Sequence, residues 1–123
     1  MKDVILWQRF EGALVFGASL VLFVLSGADL PWWAALVIFF APDLSFAAYG
    51  LGPRIGAWAY NVVHVYAFGA ILLALGGLIA SPLVAALGAL WLAHSGFDRL
   101  MGYGLKSATS FQDTHLGRIG KKR

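Results

Sequence analysis

The chain has 123 residues, of which 60% are hydrophobic and 12% charged, with a formal net charge of +3 and a mean hydropathy of +0.78. Soluble domains run at roughly 45 to 50% apolar and 25% charged, so this composition excludes an ordinary soluble domain and indicates a membrane protein. At about 20 residues per crossing, four spans consume the chain as a single transmembrane domain over residues 1–123. It has no cysteine, which excludes disulfides, thiolate metal sites and a cysteine nucleophile.

The first apolar stretch, Ala13 to Leu25, follows Lys2 and Arg9 and precedes Ser26-Gly27-Ala28, a pattern shared with cleavable signal peptides. Glu11 at its start suits a retained helix better, and retention is the expectation. Proline then marks three helix starts, because at the first helical position it gives up only a donor that would be unsatisfied anyway. The predicted helices cover about 7–25, 31–49, 53–80 and 82–101, with a tail over 102–123. Ser81 is a natural N-cap for the last helix, and Gly50 and Gly52 separate the second from the third.

A third helix over 53–80 would be roughly 42 Å long against a hydrocarbon core near 30 Å, so it must tilt, protrude or unwind near Gly76-Gly77. Small residues at four-residue spacing predict close helix approach at Ala85, Ala89 and Ala93, at Ala70 and Ala74, and at Ala13 and Gly17.

All nine Lys and Arg residues fall on one side of this arrangement. Lys2 and Arg9 lie before or at the start of the first helix, Arg54 follows the second, and Arg99, Lys106, Arg118, Lys121, Lys122 and Arg123 close the chain. The opposite loops, around Asp29 and Ser81, carry none. The positive-inside rule then makes both termini cytoplasmic. The fold class is an all-α, polytopic membrane four-helix bundle with a basic cytoplasmic C-terminal tail. That tail should lie on anionic lipid headgroups, at about 1 kcal/mol per cation near the surface, or be basic for topology alone.

Five ionisable groups, Glu11, Asp43, His64, His94 and Asp98, sit inside or at the ends of these apolar stretches, where a charge costs about 3 kcal/mol or more at mid-bilayer. The topology places all five in the cytoplasmic half, with Glu11 near the interface beside Arg9. Arg54, Asn61 and His64 share a sector of roughly 80° on the third helix, and His94 and Asp98 form an i, i+4 pair on the fourth. Ser45, Tyr49, Tyr60, Tyr66 and Tyr103 add hydroxyls at that level. Pro42 removes a mid-span hydrogen bond, which bilayers tolerate only where the freed groups face protein or a cavity. Asp43 directly after it has two readings, a cap paired with Arg54 or Arg99, or a group of the site itself.

Two histidines and two carboxylates, His64, His94, Asp43 and Asp98, are an acceptable ligand set for zinc or iron, with His115 as a fifth group from the tail, although no ligand-spacing motif accompanies them. The same residues suit acid and base work, with Asp98 orienting the His94 imidazole, or simple hydrogen-bonded contacts between helices. No serine-nucleophile or phosphate-loop pattern is present around Ser45, Ser95 or the glycines of 102–104 and 117–120.

Pro42-Asp43-Leu44-Ser45, the run Gly52 to Ala57 with Tyr60-Asn61 and His64, His94 with Gly96 to Arg99, Gly102 to Lys106, and Thr114 to Gly120 together resemble a family of small bacterial membrane proteins known as domain of unknown function 4260. Ser95 departs from the branched apolar residue expected there. The resemblance implies a multi-pass protein of the bacterial cytoplasmic (inner) membrane, with Thr114 to Gly120 structured, and it carries no substrate, reaction or site.

Three functions follow from these residues. The first is a membrane enzyme acting on a lipid or other hydrophobic substrate at the cytoplasmic leaflet through Asp43, His64, His94 and Asp98, metal-assisted or not. The second is a non-enzymatic subunit or assembly factor with a membrane-complex partner. The third is a proton or ion pathway formed by a homo-oligomer, for which the outer half beyond Ser19 offers few polar stepping stones. No nucleic-acid partner is expected.

Overall fold

The structure is a computed structural model and describes residues 2–109 and 112–119. Lys121, Lys122 and Arg123, half of the cations at and after the end of the last helix, lie outside the described residues, as does Gly120. Five helices follow in order: α1 (Lys2–Leu25), α2 (Trp32–Phe40), α3 (Pro53–His64), α4 (Tyr66–Leu78) and α5 (Pro82–Leu100). A 3-10 segment, Ala41–Leu51, continues α2, and two short antiparallel strands, β1 (Asp113–Thr114) and β2 (Gly117–Arg118), fold the tail into a hairpin.

Two of these helical stretches, Lys2–Leu25 and Trp32–Leu51, are long and apolar enough to cross a membrane, and the bent pair α3 and α4 makes a third if it is one span. Burial runs opposite to that of a soluble protein. Trp7, Trp32, Trp33, Trp58, Leu25 and Leu78 are among many large apolar side chains facing outward, while His64, His94, Ser95 and Arg99 are buried. An apolar exterior over a polar interior is the arrangement of a membrane-embedded protein.

α5 is the central element, flanked along its length by α1 and α4. Gly12 and Gly96 let α1 and α5 touch backbone to backbone, since a Cβ on Gly12 would stand 2.7 Å from the Gly96 carbonyl oxygen and one on Gly96 would stand 2.7 Å from the Phe16 nitrogen. Against α4 the small residues are Gly69, beside Leu92, and Gly76, beside Ala85. The expected stripe on α5 is buried at Ala89 and Ala93. Its predicted counterparts are displaced: Ala70 and Ala74 are exposed, and on α1 the tight contact is made by Gly12, while a Cβ on Gly17 would meet nothing within 4 Å. Gly lets two helix axes come closer than Ala does, so the glycines take the contact lines and the alanines fall to their flanks.

α1 begins five residues earlier than expected, at Lys2. The second helix loses α geometry at Ala41, where Pro42 interrupts it. The predicted third helix is broken too, by 43°, at Val65 and not near Gly76-Gly77. Val65 is extended, with φ −71° and ψ 147°, and has neither glycine nor proline beside it. Two α5 side chains support the break: Trp91 Nε1–H donates to the Val63 carbonyl at 2.9 Å and Arg99 Nη2–H to the His64 carbonyl at 2.7 Å. Tertiary partners satisfy the freed backbone, which makes an interruption tolerable in an apolar surrounding.

Ser81 caps α5 as expected, its Oγ accepting from Val84 N–H at 3.2 Å. The other end closes in a Schellman turn, with Gly102 at φ 91°, its N–H on the Arg99 carbonyl and the Tyr103 N–H on the Asp98 carbonyl at 2.7 Å. Arg9 Nε–H donates to the Leu100 carbonyl at 3.0 Å, which places the start of α1 beside the end of α5.

Candidate functional site: a four-residue centre

Each interruption of helix geometry delivers a ligand-bearing side chain. Asp43 follows the proline that opens the 3-10 segment; His64 is the last residue of α3; His94 and Asp98 lie one above the other on α5. Their polar atoms converge. His64 Nε2 lies 3.2 Å from His94 Nε2, 3.3 Å from Asp43 Oδ1 and 3.5 Å from Asp98 Oδ2. His94 Nε2 lies 3.2 Å from Asp43 Oδ1 and 3.4 Å from Asp98 Oδ2. All four residues offer a ligand atom within 4.8 Å of one another.

Side-chain exposure is 0% for His64, 2% for His94 and 10% for Asp98, but 35% for Asp43. Three members are therefore fixed in the interior, and the fourth is partly exposed.

The His64 tautomer is set by its backbone. Its Nδ1 is 2.8 Å from the Tyr60 carbonyl oxygen, which can only accept, so Nδ1 carries the proton. In the neutral ring the Nε2 lone pair then points at another imidazole nitrogen and two carboxylate oxygens. Four such atoms repel one another unless a cation, or a proton on His94 Nε2, lies among them. A regular tetrahedron around an ion at roughly 2.0 to 2.1 Å has edges of about 3.3 to 3.4 Å. Five of the six separations, from 3.2 to 3.5 Å, bracket that value, and the sixth, between the two carboxylate oxygens, falls within the 4.8 Å that spans the group. The donor set of two imidazoles and two carboxylates fits zinc, or ferrous iron at lower affinity.

Surrounding groups hold the centre in place. The Tyr60 ring stacks on His64 with centroids 3.7 Å apart, and its hydroxyl donates to Asp98 Oδ2 at 3.2 Å. Phe39 and Phe40 meet His94 edge to face. His94 Nδ1 has no hydrogen-bond partner among the described residues, a departure from the usual fully bonded ligand imidazole. The Ser95 hydroxyl beside it is likewise buried without a partner among the described residues, so it brings polarity there without a hydrogen bond to the imidazole.

Of the residues expected around the centre, several stand elsewhere. Asp43 does not pair with Arg54 or Arg99; it turns to the two imidazoles, and Arg54 is exposed on α3. Ser45 Oγ–H donates to the Pro42 carbonyl at 2.8 Å and braces the 3-10 segment. Glu11 is exposed, lining a cavity of about 160 Å³ with Gln8, Tyr66, Arg99 and His115. His115 is not a fifth ligand: it stands outside the group of four, in the cavity with Glu11 and Arg99, where its Nδ1 accepts from Leu105 N–H at 2.8 Å. Burial, with Arg99 nearby, draws its pKa below the ordinary histidine value. Tyr103 contributes its backbone carbonyl to Arg99 Nη1–H and exposes its side chain.

One residue was hidden by its company. Lys106, in a tail that reads as surface charge, is 5% exposed, with its ammonium 4.9 Å from the Tyr60 ring centroid. Burial pulls its pKa down to about 8, against the opposing pull of Asp98 and Asp43. Asn61 clamps it, accepting from Lys106 N–H at 2.7 Å and donating to its carbonyl at 2.8 Å. An amide on the centre-facing sector of α3 was the available signal: Asn61 must find a donor and an acceptor, and a strand-like backbone supplies both.

The chain belongs to the family described as Domain of unknown function (DUF4260), whose model matches residues 5–119. No curated protein matches the chain, and no solved structure does.

Proposed function

We propose that this member of the family is a membrane-embedded metalloenzyme that acts on a lipid or other hydrophobic substrate at the cytoplasmic leaflet, using a divalent ion, zinc by preference, held by Asp43, His64, His94 and Asp98. The observation that carries the reading is the convergence of four ligand atoms within 4.8 Å of one another, with each imidazole nitrogen 3.2 to 3.5 Å from the other and from both carboxylates. In this reading the bundle crosses the bacterial inner membrane four times, as α1, α2 with the 3-10 segment, α3 with α4, and α5. Both termini are cytoplasmic, in keeping with the one-sided charge and the Arg9 to Leu100 contact.

Asp43 is the ligand most readily exchanged for water or substrate. It is the most exposed of the four and sits on the element that Pro42 frees from helix geometry. His64, His94 and Asp98 would still hold the ion if Asp43 gave way, and a zinc ion so held would supply the means of ionising water near neutral pH. Asp43, beside both imidazoles, would then be placed to serve as a general base.

An apolar groove of about 630 Å³ between α1, α2 and α5 ends at Phe39, whose ring centroid is 5.3 Å from that of His94, and an acyl chain lying there would end beside the centre. A second reading, a non-enzymatic subunit stapled by its metal, is favoured by the same closed set of four protein ligands drawn from three separate elements.

Metal analysis of purified protein, with and without His94→Ala, together with lipidomics of a deletion strain, tests the proposal. Stoichiometric zinc lost in the variant, with accumulation of a lipid, is the expected result. Zinc-free wild-type protein ends the metal reading; zinc without any lipid change favours the staple.

A further inference from the structure

We propose that the start of α1 seats one anionic phospholipid, with the lipid phosphate on the Arg9 guanidinium and an acyl chain in the apolar groove between α1 and the end of α5. The inference is independent of the metal centre.

The first ground is the division of polarity on either side of Arg9. Leu6, Trp7, Phe10, Ala13 and Leu100 line an open groove of about 610 Å³, and Arg9 is the charged member of its lining. Arg9 also lines a second, more polar cavity of about 470 Å³ with Gly102, Tyr103 and Arg118. No carboxylate lines either one among the described residues. An amphiphile with an apolar chain and an anionic head is divided in the same way.

The second ground is how the cation is held. Arg9 Nε–H donates to the Leu100 carbonyl at 3.0 Å, and the guanidinium carbon lies 3.8 Å from where a Cβ on Gly102 would stand. One edge of the plane is thus fixed against the end of α5. The four N–H groups on Nη1 and Nη2 have no acceptor among the described residues, and a guanidinium edge of that kind meets phosphate oxygens in pairs. The other cation of the polar cavity, Arg118, is paired with Asp113 at 2.6 Å.

Depth selects a lipid as the occupant. Trp7 and Tyr103 are both exposed on the two sides of Arg9, and these aromatic residues concentrate at the level of lipid headgroups. From that level the groove follows α1 inward past Phe10 to Ala13, as an acyl chain does from its phosphate.

The test uses the full-length protein in phosphatidylcholine vesicles, with part of the lipid replaced by phosphatidylglycerol or phosphatidylcholine brominated in the acyl chains. Bromine quenches tryptophan on contact, and the difference between each protein and its Trp7→Phe counterpart isolates Trp7. Phosphatidylglycerol should quench Trp7 with an apparent affinity about fivefold or more above that of phosphatidylcholine, the worth of one cation at a lipid surface. Arg9→Gln should abolish this preference, whereas Arg54→Gln, which removes an exposed cation from α3, should keep it. Ala13→Leu, which fills the groove and leaves Arg9 in place, is the second variant and should weaken quenching by phosphatidylglycerol.

Equal affinities of the two lipids at wild-type Trp7 overturn the assignment, as does a preference that survives Arg9→Gln or quenching that Ala13→Leu leaves unchanged. A preference lost to the same degree in Arg54→Gln reports surface charge in general and overturns it too. So does a Trp7 that neither lipid quenches while crosslinking finds a dimer, since the groove then holds a second copy. Each of these results leaves the metal reading untouched.

Discussion

Arg99 Nη2–H donates to the carbonyl oxygen of His64 at 2.7 Å, joining α5 to the point where α3 stops. The same guanidinium donates through Nη1 to the Tyr103 carbonyl at 3.1 Å, so one side chain ties the break, the end of α5 and the start of the tail. The His64 carbonyl is free because Val65 is extended, and that extension ends α3 with the imidazole facing the centre. Arg99 is thus a positioning residue for His64, acting on its backbone.

Arg99→Ala leaves that carbonyl unpaired in the interior, which costs about 1 to 3 kcal/mol. It also loosens the His64 ring, for which a loss of about 10- to 100-fold in zinc affinity is expected, as for other outer-shell partners. Arg99→Lys should recover only part, since an ammonium lacks the planar fork that reaches two carbonyls at once. Zinc competition titrations beside thermal melts in detergent check this. Affinity that stays at the wild-type level in Arg99→Ala would remove Arg99 from the centre.

Metal removal should be felt as stability. An ion that binds only the folded chain adds about 2.7 kcal/mol at a concentration 100-fold above its dissociation constant. Chelation should therefore lower the melting temperature of the wild type, and added zinc should restore it. His94→Ala should melt at one temperature with or without zinc. A zinc-dependent shift of equal size in that variant would place the ion elsewhere.

Much of the centre was legible in the sequence because its members are expensive where they stand. Asp43 after a mid-span proline and the i, i+4 pair on α5 were forced to face protein, and one-sided charge put them at one depth. The break at Val65 was not legible, since its causes, Trp91 and Arg99, lie on another helix. Lys106 was masked by a basic tail whose residues read alike, though Asn61 selects one of them. The contact glycines were displaced from the alanine pattern because four-residue spacing in an alanine-rich chain has several solutions, and the tightest approach decides among them.

That last point separates two glycines on one helix. Gly12→Ala would drive a methyl group to within 2.7 Å of the Gly96 carbonyl oxygen and the Leu100 nitrogen, both parts of a fixed backbone, and must push α1 from α5. A loss of about 1 to 3 kcal/mol is expected from overpacking. Gly17→Ala meets no atom within 4 Å and exchanges a poor helix former for the best, a gain of about 1 kcal/mol where helix propensity governs. Melting temperatures of the two variants should move in opposite directions. A shared direction would mean that α1 does not pack on α5 along Gly12.

Docking of the tail should be sensitive to acid. His115 Nδ1 accepts from Leu105 N–H, and its own N–H donates to the Leu105 carbonyl at 3.1 Å, so the docked ring must keep Nδ1 unprotonated. The groups lining the same cavity are Glu11, Tyr66 and Arg99, and burial with Arg99 holds the docked pKa below 6.5. An undocked tail therefore binds a proton that the docked tail refuses, and docking stability falls with pH across the window between 6.5 and the lowered value. Above that window the contribution is complete. Hydrogen exchange at the Leu105 amide, corrected for its intrinsic pH dependence, should accelerate as pH drops from about 7.5 to 5.5. His115→Gln, which offers a carbonyl acceptor without a titrating ring, should flatten the profile. If the wild-type amide exchanges at a constant corrected rate through that range, His115 does not latch the tail.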